Sequence, residues 1–173
     1  MRKYHLNNFE KEFLGTILCY IPQKNSETGE IELLNSENCV EISYKFSKIS
    51  PFLWGMIYER VVGISYERLG YNVDYSGIKN GFLDQGIDLI CRKQDQITSY
   101  VQCKSGQKNI GKQSIETILY KGGNFIAKVD KNRCRFVLAI DNAKIISDLN
   151  RQRFLNWNKL QSKVKLEITL LNW

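Results

Sequence analysis

The chain has 173 residues, which suits one domain or one domain with a small appendage. Hydrophobic residues make up 43% and charged residues 25%, a balance that excludes disorder throughout. No apolar run reaches the roughly 18 residues of a membrane span, and Met1–Asn8 lacks the apolar stretch of a secretory signal.

Five cysteines, Cys19, Cys39, Cys91, Cys103 and Cys134, are scattered, and no two form a Cys-x-x-Cys pair. With His5 as the single histidine, a zinc site has no ligand cluster to form it. An odd, dispersed set of thiols argues equally against a disulfide framework and for a reducing cytoplasm. One histidine five residues from the start also weighs against Ser-His or Cys-His chemistry. The formal net charge is +7 and unevenly placed. Residues 1–50 hold six Lys/Arg and seven Asp/Glu, a net of −1, whereas residues 51–173 hold nineteen and eleven, a net of +8. Between 104 and 165 there are fourteen bases and four acids, a net of +10. A basic region of this kind concentrates polyanions, and the alternative is a merely solvated surface.

In chain order, Phe9, Phe13, Leu14, Ile17, Leu18 and Ile21 fall at helical spacing, and 16–21 also fits a strand. Residues 22–30 are a polar loop. Val40, Ile42, Tyr44 and Phe46 alternate with polar residues, as in a half-buried strand. The segment 1–50 is thus expected to be an appendage to a main domain over 51–173. After Pro51, Leu53, Ile57, Val61 and Ile64 mark a helix over 52–69, ended by Gly70. A short strand over 71–75 follows, then a glycine-containing turn region from Gly77 to Gly86. Two β-rich runs, 87–92 and 99–104, are joined by a polar turn. A helix is expected from Lys112 to Lys121, stopping at Gly122-Gly123, and a strand over 136–140. Asp141 is a candidate N-cap for a helix reaching Lys159. Val164, Leu166, Ile168 and Leu170 alternate in a last strand. This order predicts an α/β (α+β) protein with a mixed sheet and helices on both faces.

Within it, Gly86-Ile87-Asp88-Leu89-Ile90 and Val101-Gln102-Cys103-Lys104 carry the chemistry. Gln102 and Lys104 are two residues apart on one strand and share a face, while Val101 and Cys103 point the other way. If the two strands form a hairpin, Asp88 meets Gln102 and Lys104 at one end. A carboxylate and an amide oxygen suit Mg²⁺, a hard cation that keeps several waters. A lysine beside them can orient an attacking water and stabilise developing charge. The competing interpretation is an ordinary surface strand beside a turn aspartate.

These motifs resemble the Mrr-like branch of the PD-(D/E)XK restriction-endonuclease superfamily. Over roughly 56–126, Tyr58-Glu59-Arg60-Val61-Val62 and Leu69-Gly70-Tyr71-Asn72-Val73 are similar to its opening helix and strand. Asp84-Gln85-Gly86-Ile87-Asp88 is similar to its turn, Gln102-x-Lys104 to its active strand, and Ile110-Gly111-Lys112 to the start of its next helix. Gln102 departs from the commoner glutamate, a variant for which the Mrr-like branch is known. The resemblance implies a three-layer αβα sandwich around a mixed sheet and a metal-dependent nuclease acting on DNA in restriction, antiphage defence or repair. It implies Glu59, Asp88, Gln102 and Lys104 as catalytic residues, with Asp88 and Gln102 holding Mg²⁺ or, as a substitute, Mn²⁺. Asp84 is expected as a turn residue or an outer acid. Ser105, Lys108, Lys112 and Gln113 are expected to contact DNA, with Arg151, Arg153, Lys159, Lys163 and Lys165 as possible extensions of the footprint. Trp54, Trp157 and Trp173 are expected to pack. A Holliday-junction resolvase-like enzyme and a non-catalytic nucleic-acid-binding or assembly module are the alternatives. A homodimer, or a partner subunit held through residues 1–50, is expected by analogy only.

Overall fold

The computed structural model describes residues 8–45, 47, 49–80, 85–94, 96–106, 108–130, 132–157 and 163–173. His5, Asp84 and Lys159 lie outside the described residues.

The first segment begins with α1 (Asn8–Thr16), closed by a 3₁₀ turn over Ile17–Cys19. Three antiparallel strands follow: β1 (Ile21–Lys24), β2 (Ile31–Leu34) and β3 (Val40–Tyr44). Residues 22–24 were expected as loop and instead form an edge strand, where Pro22 needs no ladder donor. β2 was not foreseen, because Ile31-Glu32-Leu33-Leu34 is short and alternates only once. Phe13, Ile17, Ile31 and Leu33 are buried in the same cluster as Leu53, Ile57 and Tyr58 of the following helix. Arg60 Nε donates to the Tyr20 carbonyl at 3.1 Å, and Ser50 Oγ donates to Glu10 at 3.2 Å.

α2 (Pro51–Arg68) starts where the sequence signals it: Ser50 accepts from Leu53 N–H as N-cap and Pro51 takes the first helical position. β4 (Asn72–Asp74), the short α3 (Ser76–Asn80), β5 (Leu89–Arg92) and β6 (Thr98–Lys104) come next. Then α4 (Lys112–Val129), β7 (Cys134–Ile140), α5 (Asp148–Leu155) and β8 (Val164–Leu170) complete the chain. The five strands lie in the order β4-β5-β6-β7-β8. β4, β5 and β6 pair antiparallel, and β6, β7 and β8 pair parallel. The parallel step from β6 to β7 needs a crossover, which α4 supplies.

Side-chain alternation divides the core. Leu89, Cys91, Val101, Cys103, Val137 and Ala139 pack with α2, whereas Ile90, Tyr100, Phe136 and Leu138 pack with Ile115, Leu119 and Ile126 of α4 and Phe154 of α5. The sheet is therefore covered on both faces, the three-layer arrangement of a restriction-endonuclease-like fold.

Two helix boundaries differ from expectation. α4 continues past Gly122-Gly123 to Val129. The glycines are not a stop but a close approach: a Cβ on Gly122 would collide with the Phe136 ring. Asp141 caps no helix. Ser147 caps α5, Asn142 caps a 3₁₀ turn over Ala143–Ile145, and Asp141 Oδ2 accepts from Gly106 N–H at 2.8 Å. Trp54 and Trp173 pack ring to ring, centroids 5.1 Å apart, and Trp157 lies half-buried against the α4-side cluster.

All five cysteines are free, with Cys19 and Cys39 exposed and Cys91, Cys103 and Cys134 buried. Burial pushes the Cys91 thiol up to about 12 and that of Cys134 up to about 11. Burial, then the Asp88 carboxylate, holds Cys103 well above the ordinary range. Thiolate is the reactive form, so an alkylating reagent near neutral pH is expected to modify Cys19 and Cys39 rapidly. The other three should react only on unfolding, as peptide mass mapping with and without denaturant would show.

Candidate active site

β5 and β6 pair with Leu89 opposite Val101, which brings Asp88 beside Gln102 at the end of the hairpin. Asp88 is only 3% exposed and Gln102 only 4%. A buried carboxylate is costly unless polar groups satisfy it. Here Cys103 N–H donates to Asp88 Oδ2 at 2.6 Å, and Gln102 Nε2 donates to the same oxygen. The backbone of Asp88 is fixed from two sides, by its N–H to Val101 O and by Gly77 N–H to its carbonyl, both at 2.8 Å.

The turn before Asp88 depends on Gly86, at φ +82°, a region L-residues seldom occupy. Gly86 is also where α4 meets the hairpin. A Cβ there would lie 2.9 Å from Lys121 Cβ and 3.7 Å from Gln102 Oε1.

Glu59 reaches this place from α2. It is 6% exposed, not the solvated helix residue that its position could equally suggest, and its carboxylate lies against Gly77, where a Cβ would collide with it. Gly77 thus touches one acid and hydrogen-bonds the backbone of the other, a role for α3 that the sequence pattern did not disclose. Of the two glycines flanking Glu59, Gly63 accommodates the Tyr75 ring, while Gly55 has open space beside it.

Glu59, Asp88, Gln102, Lys104, Ser105 and Gln113 all line one cleft of about 620 Å³. Its remaining walls are Pro51, Phe52, Gly55 and Met56 from α2 and Ser114, Thr117, Ile118 and Lys121 from α4, with Gly86 and Cys103 between. All four residues expected to be catalytic are therefore brought together. Of the four expected DNA contacts, Ser105 and Gln113 lie in the cleft. Lys108 and Lys112 are exposed outside its lining, and Lys112 approaches Glu116 at 3.9 Å. Lys121 and Thr117 were missed: helical periodicity shows that a residue faces outward, but not what stands opposite.

Among the described residues, no group of three His, Cys, Asp or Glu side chains converges on one point. The side chains that could hold a cation are instead Asp88, through its carboxylate, and Gln102, through its amide oxygen, with Glu59 on the same cleft. This set fits a hard cation that takes few protein ligands and keeps its waters. Gln102 now turns its Nε2 to Asp88, and a half-rotation of the amide would present Oε1 in its place.

Residues 55–122 match the family model for a restriction endonuclease of the Mrr catalytic type. No curated protein and no solved structure matches the chain. The matched segment runs from α2 into α4 and contains Glu59, Gly86, Asp88, Gln102 and Lys104. This part of the chain is similar to the restriction-endonuclease domain of the Mrr type, in agreement with the resemblance drawn from its sequence motifs. Among the described residues, no helix is long and apolar enough to cross a membrane.

Proposed function

We propose that the protein is a Mg²⁺-dependent endonuclease hydrolysing DNA phosphodiester bonds in restriction, antiphage defence or repair, with 51–173 as its nuclease domain and 1–50 as an appendage. The observation that carries this proposal is the convergence of Asp88, Gln102, Lys104 and Glu59 on one cleft, within the segment 51–173 that holds the excess positive charge. Asp88 and Gln102 would hold the cation. Bound there, Mg²⁺ would polarise a phosphate oxygen and acidify a water. Lys104, at the end of β6, offers three ammonium donors to a water or to a developing phosphoryl charge. Glu59, held against Gly77, supplies a carboxylate from the opposite wall that can orient the incoming water. Phe52 and Met56 make part of one wall apolar.

The direct test is nicking of supercoiled plasmid by the purified protein with Mg²⁺, with Mn²⁺ and with EDTA, beside Lys104→Ala. Metal-dependent nicking lost in the variant is expected. Faster cutting of a four-way junction than of linear duplex would move the assignment to a resolvase.

A second interpretation, a nucleic-acid-binding module without catalysis, draws on Gln102, whose amide N–H satisfies Asp88 with no cation needed. Gln102→Glu separates the two. Two facing carboxylates oppose each other's ionisation, so this variant should melt lower than wild type in EDTA. If the cleft takes a cation, the extra charge should tighten Mg²⁺ binding by roughly tenfold and recover the lost stability. Thermal melts across a Mg²⁺ titration read both effects, and a variant that melts low at every Mg²⁺ concentration favours the module.

A further inference from the structure

We propose that Lys121 is a phosphate-binding residue of the cleft, the root of a strand-tracking wall formed by Gln113, Thr117 and Lys121 of α4. It rests on the phosphodiester-cleaving function above and adds where the nucleic-acid backbone lies. Three observations carry it. First, the three side chains line the cleft, and all are exposed. They recur every four residues, so they lie on one helix face about 6 Å apart in axial rise, the scale of one nucleotide step.

Second, the position of Lys121 is fixed. The Gly122 backbone lets α4 come down onto Phe136, and this closeness seats Lys121 Cβ beside Gly86, which also neighbours Gln102 Oε1. Lys121 lines the cleft in which Asp88 and Gln102 lie, so the flexible stem above that root can bring its ammonium over it. Third, this cation has no acidic partner among the described residues. Its helical neighbours three and four residues away are Thr117, Ile118, Asn124 and Phe125, none of them acidic, whereas Lys112 has Glu116.

The wall offers the Gln113 amide and the Lys121 ammonium as donors that hold phosphates without reading bases, with Thr117, whose hydroxyl donates to the Gln113 carbonyl at 2.8 Å, between them. The cleft would then have two unlike sides, a backbone-holding side on α4 and, on α2, Phe52 and Met56 beside the Glu59 carboxylate. A nucleic-acid strand would enter with its phosphates toward α4.

The test is binding of a fluorescein-labelled duplex in EDTA, measured by anisotropy across a salt series. Lys121→Ala, Lys121→Arg and Lys24→Ala are compared with wild type. Lys24 is an exposed lysine of β1 that does not line the cleft. Lys121→Ala is expected to bind about fivefold to tenfold more weakly, with a salt slope smaller by about 0.9, the equivalent of one phosphate contact. Lys121→Arg should restore both, and Lys24→Ala should change neither. Unaltered affinity and slope in Lys121→Ala overturn the inference, as does an equal loss in Lys24→Ala. A wild-type protein that neither binds nor nicks any nucleic acid overturns the nuclease proposal itself. Nicking by wild type together with unchanged binding by Lys121→Ala overturns only the wall.

Discussion

Asp88→Asn is expected to lower Mg²⁺-dependent nicking by about a thousandfold while leaving the protein folded, the scale seen when a preorganised electrostatic group is lost from a site. Asparagine is nearly the same shape. Its oxygen, set in the place of Oδ2, can still accept from both Cys103 N–H and Gln102 Nε2. The negative charge that would attract a cation is what disappears. Asp88→Ala is the informative companion. It removes the acceptor of the Cys103 N–H and of the Gln102 amide, both buried, and so should also cost about 1–3 kcal/mol of stability. Nicking rates with urea unfolding curves separate the two effects: loss of activity without loss of stability in Asp88→Asn, loss of both in Asp88→Ala.

Gly86→Ala is expected to have a large effect for a single added methyl group. At φ +82° an L-residue costs about 1–2 kcal/mol. The added methyl would also stand 2.9 Å from Lys121 Cβ, an atom tied to the α4 backbone that cannot swing away. Overpacking of this kind costs about 1–3 kcal/mol, which makes roughly 2–5 kcal/mol together. Against a typical stability of about 5–15 kcal/mol, that is a large fraction, and it falls where α4 meets the hairpin carrying Asp88. Both a lower urea midpoint and weakened nicking are expected. Gly15→Ala is the control. It is exposed in α1 with nothing within 4 Å, so it should be neutral or stabilise by up to about 1 kcal/mol.

The parts of this structure legible in the sequence are those governed by short-range rules. Pro51 opens α2 and Gly70 ends it, and the alternation in 99–104 and 164–170 gives β6 and β8. Asp88, Gln102 and Lys104 could be grouped because a hairpin and a period of two leave few ways to arrange them. What was not legible depends on which surfaces meet. Gly122-Gly123 has the signature of a helix stop, yet α4 runs through it because the missing side chain makes room for Phe136. Asp141 has the signature of an N-cap, yet its carboxylate holds Gly106 after β6. Lys121, not singled out in the sequence, lines the cleft because of how α4 is seated on Gly86. Glu59 was expected from the resemblance to the Mrr-like nucleases, while its burial against Gly77 needs α3, a five-residue helix too short to leave a periodic signal.

The most direct measurement is diffraction from crystals soaked in Mn²⁺, collected for anomalous signal, on wild type and on Asp88→Asn. A single strong peak between Asp88 and Gln102 is expected in wild type, with the Gln102 amide turned to present its oxygen, and no peak there in the variant. A cleft without a peak at saturating Mn²⁺, or the same peak in Asp88→Asn, would contradict the assignment of these two residues as the metal ligands of a nuclease.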